Sequence, residues 1–165
     1  MRVSSLLLDR NNYLISAAKL KTHDTVVVTL SIKNIVMGSI YADDKVMVHQ
    51  GYKYTNLNLA EMAKFVWPNL AVIDGITGME GNGPEKGTPI DVGIAIACTD
   101  PLSADSVACK VMGVDINKVG YLYYCSQKGL GESDLVKIDV KGENLNECIR
   151  PFRHHCTVEK QYNWK

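Results

Sequence analysis

Short apolar runs of strand length alternate along this chain with amphipathic segments of helical length. That alternation limits the fold more than any other feature. Leu70–Asp74 (LAVID) and Ile90–Thr99 are runs of the kind that make buried strands. Tyr13–Lys21 and Leu135–Val140 alternate as a first and a last strand. His23, Val27, Leu30, Asn34 and Met37 fall on one helical stripe. With Thr22 as N-cap and Gly38 as C-cap, they predict a helix through this segment, although the β-branched run Thr25–Thr29 is strand-like. Asn58–Trp67 predicts a second helix, stopped by Pro68. Asp100-Pro101 opens a third, as an Asp N-cap followed by Pro at the first helical position, and Asp115 opens a fourth through about Gln127. Strands alternating with helices predict an α/β fold, with a mainly parallel sheet and helices on both faces.

With 165 residues, the chain has the length of one domain. Its 18 basic and 18 acidic side chains balance, which excludes a protein that coats nucleic acid and a disordered acidic tail. The apolar runs are far shorter than the ~20 residues that span a bilayer, and Leu6–Leu8 is too short for a secretory core, so a cytoplasmic location is expected. Five scattered cysteines without a C-x-x-C pair make no disulfide framework or zinc knuckle, and no iron–sulfur cluster is expected on this chain.

Two tracts carry residues suited to chemistry. In Lys19-Leu20-Lys21-Thr22-His23-Asp24, followed by Ser31-Ile32-Lys33-Asn34, three lysines, an imidazole and an amide cluster where a strand gives way to a helix. Such a place suits an anion, and His23 is a candidate general acid/base or metal ligand. The other reading makes His23 a capping side chain and leaves Lys19 and Lys33 solvated. The second tract, Gly75-Ile76-Thr77-Gly78-Met79-Glu80-Gly81-Asn82-Gly83-Pro84, reads as a glycine-rich loop after the LAVID strand, where open α/β sheets place ligands. It is no phosphate loop of the Walker type, because Pro84 stands where the lysine belongs, and it is no dinucleotide fingerprint. It reads either as a ligand cradle, with Asp74 and Glu80 beside it, or as a special turn with no ligand. Asp105, on a largely apolar helix, wants a partner and suits a bond to a neighbouring loop. His49 is a lone imidazole, and His154-His155 sit in a tail (Cys148–Lys165) without periodicity.

Taken in order, these motifs resemble the bacterial and archaeal domain of unknown function numbered 362. The resemblance spans Ala18 to Gly142 and also runs through Asp100-Pro101, Asp105, Met112-Gly113 and Gly129-Leu130-Gly131-Glu132. It leaves 1–17 as a leading strand region and 143–165 as a C-terminal tail. Members resembling it are often associated with ferredoxin-type iron–sulfur modules, so the resemblance implies a redox-associated context and no settled reaction. It also implies a histidine at the place of His49. The family usually carries an earlier α/β segment, so this sequence is expected to be truncated or a short form. A sheet edge and helix faces left uncovered by that would favour a homo-oligomer.

The leading expectation is therefore a domain that binds a small anionic molecule, with or without a metal. Lys21, His23 and Lys33 are the candidate catalytic residues. Asn34, Asp74, Gly78, Glu80, Gly81, Gly83 and Asp105 are the candidate ligand-binding residues, and the lysine motif and the glycine tract are expected to share one cleft. The alternative is a non-catalytic domain that docks to an iron–sulfur redox partner. Neither nucleic acid nor membrane is expected as a partner.

Overall fold

The computed structural model describes residues 1–165 and contains one four-stranded mixed sheet. Its elements in chain order are α1 (Ser5–Leu8), β1 (Ile15–Thr22), β2 (Val28–Thr29), α2 (Ser31–Ser39), α3 (Gly51–Ala63), β3 (Leu70–Asn82), β4 (Lys86–Cys98), α4 (Pro101–Val111), α5 (Gly120–Gln127) and α6 (Val158–Gln161). Short 3-10 turns at Ala42–Met47 and Ile116–Lys118 precede α3 and α5.

The strand order is β2-β1-β3-β4. Only β1 and β3 run parallel; β2 pairs antiparallel with β1, and β4 pairs antiparallel with β3. The expected mainly parallel sheet is thus corrected to a mixed one. The reason lies in the glycine tract. LAVID does not end at Asp74 but continues as one strand through Asn82, turns at Gly83–Glu85 and returns as β4, a long hairpin rather than a crossover. A hairpin brings no helix between its strands, so the second helical layer is missing.

Burial shows which face is covered. On β1, Ser16, Ala18, Leu20 and Thr22 are buried, while Ile15, Ala17 and Lys19 are exposed. Across the register, Ala17, Val72 and Ala97 share the open face, and Lys19 pairs with Asp74 there at 2.7 Å. Helices α2 and α4 pack against the other face, over a core that includes Leu20, Ile32, Ile73, Leu102 and Tyr121.

The helix expected from Thr22 to Gly38 starts nine residues later, at Ser31. The β-branched run wins the first part of the segment: after a turn at His23–Val27 the chain re-pairs with β1, placing Thr22 opposite Val28 and Lys21 opposite Thr29. Leu30 then occupies the N-cap position and offers no capping side chain. Asp105 of α4 supplies the acceptor instead. It receives the Ser31 N–H at 2.8 Å, the Ile32 N–H at 3.1 Å and the Ser31 hydroxyl. Asp105 is fully buried, and burial lifts its carboxyl to about 7 against the pull of these donors.

Asp100 caps α4 as the sequence indicates, accepting the Leu102 N–H at 2.9 Å with Pro101 in the first turn. It also takes the Glu132 N–H at 2.7 Å, which anchors the Gly129–Gly131 segment. Residues 135–140 form no strand. The Asp134 carboxylate accepts the Val136 N–H at 3.0 Å, a local turn that competes with pairing, and Val136 is 92% exposed. The tail is packed rather than frayed: Phe152, Gln161 and Trp164 are all buried. No helix is long and apolar enough to cross a membrane.

Asp105→Asn replaces one acceptor oxygen with an amide that faces existing donors. It should cost roughly 1–3 kcal/mol of stability in urea unfolding. A carboxyl raised in the folded state adds stability that is full below about 3.8 and lost as pH rises to about 7. The variant should lack that part of the pH dependence.

Candidate functional site

Of the two tracts singled out by sequence, the glycine tract is packed against protein, and the lysine motif includes a buried, unpaired lysine. The glycines of β3 and β4 serve close packing. A Cβ on Gly78 would come within 2.8 Å of Phe152 and 2.9 Å of the Leu20 carbonyl, and one on Gly83 would strike the Thr22 carbonyl. Gly81 takes a left-handed φ of 72° and donates its N–H to the Arg153 carbonyl at 2.7 Å. Glu80 accepts the Arg153 N–H at 2.8 Å, so the tail lies along this half of the strand. Gly78, Gly81 and Gly83 are therefore already filled against protein. Asp74 is spent on Lys19 at the open face. Asn34 donates to the Ser16 hydroxyl at 3.2 Å and the Ala17 carbonyl at 3.0 Å, tying α2 to β1. Asp105 caps α2. The expected shared cleft of the lysine motif and the glycine tract is not what these contacts build.

The lysine motif gathers different partners. The turn after β1 carries His23, which is 4% exposed. Its Nδ1 accepts the Thr25 N–H at 3.0 Å and lies 3.4 Å from the Val26 nitrogen. A ring nitrogen that accepts cannot also hold the proton, so Nε2 carries it. Burial, with Lys33, His49, Lys21 and His155 nearby, pushes His23 down to about 2, and the ring is neutral. Its 3.1 Å approach to Asp24 is therefore no ion pair. The His49 ring stacks on it at 6.5 Å between centroids.

This turn is held from the far end of the chain. Val27 has a φ of 69°, a left-handed backbone that a β-branched residue rarely adopts. Its N–H donates to Gln161 Oε1 at 2.6 Å, and Gln161 Nε2 donates to the His23 carbonyl at 3.0 Å. The His23 N–H closes the turn onto the Val27 carbonyl at 2.8 Å. Beside the turn opens a cavity of about 360 Å³ lined by Asp24, Thr25, His49, Tyr52, Thr55, His155 and Thr157, among others. That volume is in the range of small-molecule sites.

Lys33 lies in the first turn of α2 and is 6% exposed. Buried lysines are almost always paired, but Lys33 makes no ion pair and no hydrogen bond. Burial first, then the like charge of Lys21, pulls it down to about 8; Lys45 acts in the same direction, and only Asp24 opposes. Two lysines and one carboxylate thus act on the charge of Lys33. No group of three or more His, Cys, Asp or Glu side chains could hold a metal ion.

Sequence reasoning found Lys21, His23 and Lys33. It leaves His49 a lone imidazole and His155 in a tail without periodicity, and it gives Thr157 and Gln161 no role. No local signal marks the last three, because only the tail's return across β3 brings them here.

Comparison with known proteins agrees with the motifs. The family described as domain of unknown function (DUF362) matches residues 1–110. A thylakoid-associated protein of Synechocystis sp. is 33% identical over 119 residues, covering 70% of this chain. The chain spans only 36% of that relative's length. No solved structure matches. His155, Thr157 and Gln161 lie beyond the residues that match the family.

Two outcomes follow from this geometry. Gly78→Ala should destabilise by roughly 1–3 kcal/mol, the usual cost of overpacking, with the loss read in urea unfolding. Lys33→Met should do the opposite. A lysine lowered in the folded state imposes a penalty that is full below about 8 and relieved as pH rises towards 10.5. Removing it should raise stability at pH 7 by on the order of 3 kcal/mol and flatten the rise in stability over that alkaline window.

Proposed function

The chain belongs to the DUF362 family, and from that premise we propose that it binds a small anionic molecule at the basic site formed by Lys21, Lys33, Lys45, His49 and His155. The observation that carries this reading is Lys33, an amine buried without a counter-charge. Burying an unpaired ammonium is costly, and a ligand anion removes the cost by acting as the missing partner. The cavity beside the His23 turn is lined by the Thr25, Thr55 and Thr157 hydroxyls and the His49 and His155 imidazoles, groups that orient an oxyanion, together with the Asp24 carboxylate. His23 is neutral and offers its Nε2–H as a donor without adding charge.

This reading keeps Lys21, His23 and Lys33 as functional residues and adds Lys45, His49 and His155. It gives Asn34, Asp74, Glu80, Asp105 and the glycines structural work. It needs no iron–sulfur cluster on this chain. The buried Cys109 and Cys125 thiols are both raised by burial and are inert. A redox-associated context then means that the anion is exchanged with, or supplied to, a partner that carries the electron-transfer group.

Thermal unfolding with phosphate, sulfate, oxalate and small dicarboxylates tests the proposal. At one hundred times its dissociation constant a binding anion should stabilise by ~2.7 kcal/mol. The stabilisation should be lost in Lys33→Met, even though that variant is more stable without ligand. No response to any anion, or an equal response in the variant, would sink the reading.

A further inference from the structure

We infer that His49 and His155 serve as an acceptor and a donor in one cavity, and that together they select a small hydroxy acid over an anion without a hydroxyl. The inference rests on the anion-binding reading above and names the class of ligand.

Backbone contacts fix a different tautomer in each ring. His49 Nδ1 lies 3.0 Å from the Lys45 carbonyl. A carbonyl only accepts, so this nitrogen holds the proton, and Nε2 of the neutral ring keeps a free lone pair. His155 Nδ1 lies 3.1 Å from the Thr157 nitrogen and 2.8 Å from the Thr157 hydroxyl. A backbone N–H only donates, so here Nδ1 accepts and the proton sits on Nε2. Gln161 steadies this ring through Thr157. Its amide donates to the Thr157 hydroxyl at 3.1 Å and to the His23 carbonyl at 3.0 Å.

Neither Nε2 makes a hydrogen bond within the protein, and both rings line the cavity of about 360 Å³ beside the His23 turn. The cavity thus offers a ligand one imidazole that donates and one that accepts. Two donors would suit a bare carboxylate or sulfate. An acceptor does not, because the oxygens of such an anion have no proton to give it. Asp24 adds to this demand. Its carboxylate lines the same cavity and takes the Thr25 hydroxyl at 2.8 Å, so on its side it repels negative charge and favours a donor. A ligand that satisfies the whole cavity carries an anionic group for the His155 N–H and a hydroxyl that donates to His49.

Two measurements on the full chain test this. Nitrogen-15 spectra of the imidazoles in mildly alkaline buffer read the tautomers directly. His49 should be protonated at Nδ1 and His155 at Nε2. Titrations with propionate, lactate of either hand and glycerate read the selectivity. A hydroxy acid should bind roughly ten-fold tighter than propionate, about the worth of one hydrogen bond. His49→Phe keeps a ring against His23 and removes the acceptor. It should bind propionate as before and lose the preference. The same tautomer in both rings, equal binding of all these acids, or a preference that survives His49→Phe overturns the selection and leaves the anion reading standing. Binding of phosphate or sulfate with no response to any of the acids does the same. No binding of any anion removes the selection together with the reading it rests on.

Discussion

The carboxylate of Asp105 decides where α2 begins, and much of the architecture follows from that. Leu30 cannot cap a helix, so without an acceptor from α4 the backbone donors at Ser31 and Ile32 would be buried and unpaired. With the cap in place, α2 starts at Ser31 rather than in the β-branched run before it. Lys33 then falls in the first turn, close to the end of β1. Ser16 completes the arrangement by donating its hydroxyl to the Ser31 carbonyl at 2.7 Å. One buried side chain on α4 thus joins the sheet, α2 and the basic site into one unit.

That unit holds a contradiction in charge. The chain as a whole is neutral, yet around Lys33 the positive groups outnumber the negative ones, and none of Lys21, Lys33 and Lys45 is paired. Asp24 is the one acid whose charge acts on Lys33, and it makes no ion pair with it.

Much of the fold was legible where the cause was local. The Asp100-Pro101 helix start needs only neighbouring residues, and the alternation of β1 is its own burial pattern. The failures share a different origin. The glycines after LAVID read as a loop because glycine is a turn signal, whereas here Gly78 and Gly83 each remove a Cβ that would strike Phe152 or Thr22. The onset of α2 depends on an acid 74 residues away. The half of the site supplied by His155 and Thr157 sits in a tail with no periodicity at all. Composition and spacing report local preference, and these features are settled by contact over distance.

The Val27–Gln161 contact has a consequence for how the molecule comes together. It joins positions separated by 134 residues, so it closes one of the longest loops in the chain. Closure of that loop carries its entropic cost before any reward, and the strained φ of Val27 gives the turn no local reason to wait in the right shape. The sheet and its first helices have shorter-range contacts to form on. The His23 turn therefore depends on the tail having crossed β3 and docked, while the pairing of β1 with β2 and β3 does not.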